Sequence, residues 1–138
     1  MRRHWSAIVV VAAALGALPA RAQYVATLTP APYAPLTSAT TIALQSPAMT
    51  SPNDRGRADV PLGFSFPFFG KAYTDVHVNS DGNLTFGAGD GETAERSADR
   101  FLTGAPRIGV LYGDLDPSKS GTVSYRHDDA SSITITYK

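Results

Sequence analysis

Residues 62–87, LGFSFPFFGKAYTDVHVNSDGNLTFG, alternate apolar side chains with small or polar ones around a single turn signal. Phe64, Phe66 and Phe68 share one parity, as do Val76 and Val78, and then Leu84 and Phe86. A period of two marks strands that bury one face. The turn between the last two strands can be worked out from which side chains it brings together. A two-residue loop of Asp81 and Gly82 would set Val78 against Thr85 and put Val76 and Val78 on the opposite face from Leu84 and Phe86. A three-residue loop of Ser80, Asp81 and Gly82 sets Val78 against Leu84 and Val76 against Phe86, so that all four share one core face. That loop wants a left-handed residue at its last position, and Gly82 stands there. Gly82, Phe68, Val78, Leu84 and Phe86 are therefore the expected structural residues, and Gly82→Val the expected damaging change.

The rest of the chain supports a mostly β domain. Residues 23–59 are rich in Pro, Thr, Ser and Ala, with Pro30, Pro32, Pro35, Pro47 and Pro52 too closely spaced for a helix. Within them Thr40–Leu44 is β-prone and reads as an edge strand, while Asn53–Arg57 reads as a turn or part of a tether. GAGDGE, residues 87–92, is a flexible connection, since neither a following lysine nor a βαβ context supports a phosphate cradle. Ala94, Ala98, Phe101 and Leu102 recur at helical spacing, predicting a short amphipathic helix over Thr93–Leu102 with its apolar stripe on the sheet. Ile108, Val110 and Tyr112 predict a strand, Gly113–Gly121 a loop, Thr122–Arg126 a strand, Asp128–Ser131 a turn and Ser132–Lys138 a last strand. The expected architecture is an antiparallel β-sandwich or meander with one short helix. The last strand stops at Lys138 in mid-pattern, which suggests a truncated domain, the alternative being the final strand of a complete sheet.

The N-terminus has the three parts of a secretory signal peptide. Arg2 and Arg3 precede a twelve-residue apolar run, Ala7–Leu18, and then Ala20 and Ala22 stand at cleavage-site positions. A membrane span needs about 20 apolar residues, so the run is too short to be an anchor. Cleavage is expected between Ala22 and Gln23, giving a signal peptide over 1–22, an N-terminal segment over 23–59 and a β domain over 60–138. Export would leave nine basic against twelve acidic side chains, a net charge of −3. A mildly acidic surface argues against nucleic acid and anionic lipid as partners. The chain has no cysteine, which removes disulfides and thiolate metal sites. No later apolar run is long enough for an integral-membrane segment.

Catalytic signals are sparse. His77 falls on the polar parity of its strand and reads as an exposed cross-strand side chain, and His127 sits beside Asp128 and Asp129 in a turn. There is no GxSxG and no cysteine nucleophile. Asp114, Asp116 and Ser118, in YGDLDPSKSG, have the alternation of oxygen ligands that can wrap calcium, although the glycine and glutamate of an EF-hand are missing. The simpler alternative is a turn in which both aspartates bond nearby amides and Pro117 sets the bend. Asn83-Leu84-Thr85 is a glycosylation sequon. The phenylalanine stripe reads as core, Tyr73 and Tyr112 as partly exposed, and the loops around Asp90 and Asp114 as the place to seek a binding surface.

Phe66-Pro67-Phe68-Phe69-Gly70, then Val78, Asn79, Ser80, Gly82, Leu84, Phe86 and Gly87, then Pro106, Ile108, Asp114 and Asp116 resemble the nidogen-like extracellular domain, especially in its bacterial secreted and surface relatives. The resemblance covers about Val60 to Lys138. It implies an extracellular β-rich module for adhesion or matrix contact, with no active site and no cofactor. The expected function is thus a secreted, non-enzymatic interaction module that meets an extracellular protein or glycan. Two alternatives stay open: a calcium-dependent, lectin-like ligand-binding domain, and an accessory domain of a larger secreted enzyme.

Overall fold

The computed structural model describes residues 7–10, 27–30, 34–44, 56–90, 97–116 and 120–138. They fall into two compact units, Met1–Thr37 and Ser38–Lys138. In the first, strand β1 (Ala7–Val10) pairs antiparallel with β2 (Thr27–Pro30), Ala7 facing Pro30 and Val10 facing Thr27. The remainder of the expected signal peptide lies outside the described residues.

The second unit is a two-sheet β-sandwich. One sheet has the order β4 (Arg57–Phe68), β5 (Lys71–Asn79), β6 (Asn83–Thr85), β7 (Arg107–Gly109). The other has β3 (Thr40–Thr41), β8 (Val123–Asp129) and β9 (Ser132–Tyr137), in the order β3-β8-β9. All the pairings are antiparallel. The expected edge strand is present as β3, and Ile42 just beyond it donates its N–H to Val123 O at 2.8 Å. Strand β4 starts at Arg57, so the last residue of the expected turn belongs to a strand.

Val78 faces Leu84 and His77 faces Thr85 across β5 and β6, the register of the three-residue loop. Gly82 has φ +72°, and its N–H reaches Asn79 O at 3.3 Å to close the turn. Val60, Leu62, Phe68, Val76, Val78 and Phe86 from this sheet join Ile42 and Val123 from the other in one buried core. Leu84, Ile133, Ile135 and Tyr137 pack against it. Phe86 is the hub of the aromatic part, with ring centroids of Phe66, Phe68 and Tyr73 at 5.3, 4.9 and 5.3 Å. An irregularity in β4 makes this possible. Between the pairs Pro61–Asp75 and Phe66–Tyr73, four residues of β4 stand against Thr74 alone. The odd number of extra residues switches which parity of β5 meets the core, from Val76 and Val78 to Tyr73.

Two elements differ from expectation. The strand expected over Ile108–Tyr112 ends at Gly109, and Val110 and Leu111 are exposed. The cause is the turn of the neighbouring hairpin: Gly82 O accepts the N–H groups of Val110, Leu111 and Tyr112 at 3.1, 3.0 and 3.4 Å, so the chain curls around one carbonyl. Tyr112 takes φ +45° at the end of that curl. The helix α1 spans Ala98–Leu102, with residues 93–96 of the expected helix outside the described residues. Ser97 caps it by accepting from Arg100 N–H at 3.2 Å. Its apolar stripe does not pack as expected, since no helix residue is buried and Leu102 is 81 % exposed. Phe101 alone leans on the sheet, edge-on to Tyr112 at 4.9 Å and over Gly109. No helix among the described residues is long and apolar enough to cross a membrane.

Candidate functional site

The four-stranded sheet has a second face, and alternation brings the polar residues of the β5–β6 hairpin onto it. His77, Asn79, Asn83 and Thr85 share this face, yet Asn79, Asn83 and Thr85 are as deeply buried as the core valines. Buried amides are costly unless bonded, and of the two here Asn79 is the fully engaged one, while Asn83 Nδ2 has no hydrogen-bond partner among the described residues. Asn79 Nδ2 has four acceptors in reach for its two hydrogens: His77 O, Asn83 O, Asn83 Oδ1 and Thr85 Oγ1, at 3.0 to 3.3 Å. Its Oδ1 accepts the N–H of Asp90 at 3.0 Å. One side chain therefore fastens the loop after β6 to the hairpin. From the core side, Tyr137 OH donates to Asn79 O and Asn83 O at 3.0 and 3.2 Å, and burial pushes its phenol well above the ordinary range.

Charges complete the arrangement. Asp90 accepts from Arg100 through one carboxylate oxygen at 2.5 Å and from Arg107 through the other at 2.7 Å. Arg100 also stands 3.8 Å from the Asp81 carboxylate. The side chains of Asp81, Asp90 and Arg107 are 3, 7 and 7 % exposed, and that of Arg100 16 %. Two carboxylates and two guanidiniums balance, which is what allows four charges to sit out of water. Arg107 NH2 also donates to Thr103 O at 3.1 Å, so Asp90 joins the loop, α1 and β7. The Asp90 carboxylate is engaged inside the protein, within one of the two loops where the sequence suggested seeking a binding surface.

The other candidate residues fall outside this cluster. Phe68, Val78 and Phe86 are in the core, Leu84 is half-buried against it, and Gly82 is buried at the turn. Asp114 is exposed and Asp116 half-buried in the loop after β7, while Ser118 lies outside the described residues. Among the described residues no three His, Cys, Asp or Glu side chains are placed to hold a metal ion. The sequon is closed by the fold, because both Asn83 and Thr85 are fully buried. His77 is more engaged than expected: across the β4–β5 pair its Nδ1 lies 2.5 Å from Asp59 Oδ1, with its side chain 19 % exposed. His127 is exposed, with its ring edge-on to Tyr125 at 5.7 Å.

The turn at Gly82, the aromatic run of β4 and the Pro106–Ile108 segment that β6 pairs with are the features of the resemblance noted in the sequence, and they form one continuous sheet. A family model described as NIDO-related matches residues 23–128. The chain belongs to the nidogen-related family. Membership implies an extracellular β-rich domain. Among curated proteins and among solved structures, none matches the chain. The nidogen-related match is wider at its N-terminal side than the resemblance seen by eye, since it takes in the proline-rich segment that includes β3 and Ile42. It ends at Asp128, near the end of β8, so β9 and its Tyr137 lie beyond it.

Sequence reasoning missed Asn79, Asp81, Asn83, Thr85, Arg100 and Arg107 as a buried polar cluster. Their parity was legible, but alternation tells only which residues share a face. That a glycine-rich loop and a short helix fold over that face is tertiary information.

Proposed function

We infer that this chain is a secreted, non-enzymatic β-rich module that acts by contacting another extracellular molecule. Membership of the nidogen-related family over residues 23–128 carries this reading. The matched region begins at Gln23, the residue expected to follow signal cleavage, so the family domain and the expected exported chain start together. Cleavage there would separate β1 from β2, and their pairing would then belong to the uncleaved chain alone.

The chemistry of the sheet supports a contact role over a catalytic one. Asp81, Asp90, Arg100 and Arg107 neutralise one another, and Asn79 is committed to backbone and side-chain partners. Groups paired in this way hold loops in place, a structural rather than a proton-transferring task. The sequence also has no cysteine and no serine in a nucleophile-elbow context.

The test is binding of the purified, labelled full chain to the outer surface of cells that produce it, alongside assays for ester, glycoside and peptide hydrolysis. Saturable binding with no turnover is expected. Hydrolysis abolished by a single substitution would overturn the reading.

A further inference from the structure

The polar face of the four-stranded sheet is covered at the β6–β7 side by α1 and by residues 87–90 of the loop after β6. Beside His77 a cleft of about 370 Å³ is lined by Asp59, Tyr73, Thr74, Asp75, His77 and Gly87, together with Ala72. Asp59 and Asp75 are exposed carboxylates, and no lysine or arginine lines the cleft among the described residues.

The hydrogen-bonding character of this lining is one-sided. An ionised carboxylate only accepts, so the 2.5 Å contact between Asp59 Oδ1 and His77 Nδ1 requires the proton to sit on Nδ1. Thr74 spends its hydroxyl proton on Asp75 Oδ2 at 2.9 Å, which leaves the hydroxyl oxygen to accept. The second oxygen of Asp59 and the carboxylate of Asp75 are acceptors too. Tyr73 supplies an aromatic ring held in place by its packing on Phe86 at 5.3 Å.

Two exposed carboxylates, the Thr74 hydroxyl oxygen and a fixed aromatic ring suit a ligand rich in donors that carries a positive charge. Guanidinium has five N–H donors in a planar fork and no acceptor, pairs with carboxylates and stacks on aromatic rings. A sugar hydroxyl both donates and accepts, and would leave its acceptor lone pairs facing carboxylates. Among the described residues no three His, Cys, Asp or Glu side chains are placed here to hold a metal ion. We propose that the cleft between Asp59 and Asp75 is a docking pocket for an arginine side chain presented by an extracellular protein partner. This deepens the interaction-module reading and rests on it.

The experiment is a titration of the isotope-labelled full chain, followed by amide chemical shifts, with arginine capped at both termini. Capped citrulline, of the same shape but uncharged, and methyl glucoside are the comparison ligands. Capped arginine is expected to shift the amides of residues 72–77 and Gly87 saturably, with a dissociation constant on the order of millimolar for one side chain. Asp75→Asn should weaken this about ten-fold, the loss expected for one charge-assisted bond. Asp75 is exposed, and an unchanged thermal midpoint in that variant shows that folding is not the cause. Equal shifts with citrulline, a response to methyl glucoside in place of arginine, shifts spread over the acidic residues of other loops, or no shift would each overturn the proposal. If arginine fails while the chain still binds cells, the pocket is wrong and the module reading survives. If the pocket responds while cell binding is absent, the reverse holds.

Discussion

Replacing Gly82 by alanine separates two costs that are usually confounded. The first is conformational: at φ +72° an L-residue is left-handed, which costs about 1–2 kcal/mol. The second is steric. A Cβ built on Gly82 would stand 2.8 Å from Leu111 Cβ and 3.2 Å from Leu115 Cδ1, against an optimal carbon separation of about 3.5–4.0 Å. Leu111 has little freedom to retreat, because its own N–H is bonded to Gly82 O at 3.0 Å. Overpacking of this kind costs roughly 1–3 kcal/mol, so the total is about 2–5 kcal/mol. Gly70 supplies the control. Its φ is +75°, and nothing lies within 4 Å of the position a Cβ would take, so Gly70→Ala bears the first cost alone. Urea unfolding of both variants at 25 °C measures the difference, and Gly82→Ala should have a midpoint roughly 1–2 M below that of Gly70→Ala. Equal midpoints would refute the contact between the hairpin turn and the curl after β7. Gly82→Val should be worse still, because a β-branched side chain is poorly tolerated at positive φ.

Asp90→Asn strips the charge that balances Arg100 and Arg107 while preserving shape, and should cost about 3–5 kcal/mol, as for a broken buried pair. Hydrogen exchange should show the loss first at residues 87–90 and in α1; uniform loss of protection across the sheet would contradict the clamp. Tyr137→Phe removes the hydroxyl from Asn79 O and Asn83 O, and should cost about 1–2 kcal/mol in thermal or urea unfolding. Its pH dependence follows from the raised phenol. The unfolded tyrosine ionises near pH 10 while the folded one keeps its proton, so the contribution of Tyr137 to stability is flat below that pH and falls above it. The advantage of the wild type over Tyr137→Phe should therefore shrink above about pH 10, and a constant gap would show that Tyr137 is not buried as described.

The hairpin was legible because only one register puts Val76, Val78, Leu84 and Phe86 together, and because glycine stands where positive φ falls. The edge strand at Thr40 and the antiparallel, mostly β architecture followed from alternation and proline spacing, which left sandwich and meander both open. Two mistakes came from forces that act across the chain. Ile108, Val110 and Tyr112 alternate like a strand, but the Gly82 carbonyl, distant in sequence, gathers the next three amides and bends them away. Leu102 has the spacing of a core-facing helix residue, but α1 is held by Arg100 and Phe101, which leaves the leucine outside. The loop around Asp90 read as a place to seek a binding surface because the two arginines that engage Asp90 are ten and seventeen positions away. His77 looked idle for a similar reason, since its partner Asp59 is eighteen positions back on β4. Pairwise chemistry at such separations becomes visible only once the strands are in register.

Export of the module is tested most directly by expressing the full 138-residue chain, recovering the protein from outside the cytoplasm, and reading its mass and N-terminal sequence. The account predicts a single species starting at Gln23, with residues 1–22 removed. A chain that stays in the cytoplasm with Met1 intact would contradict it.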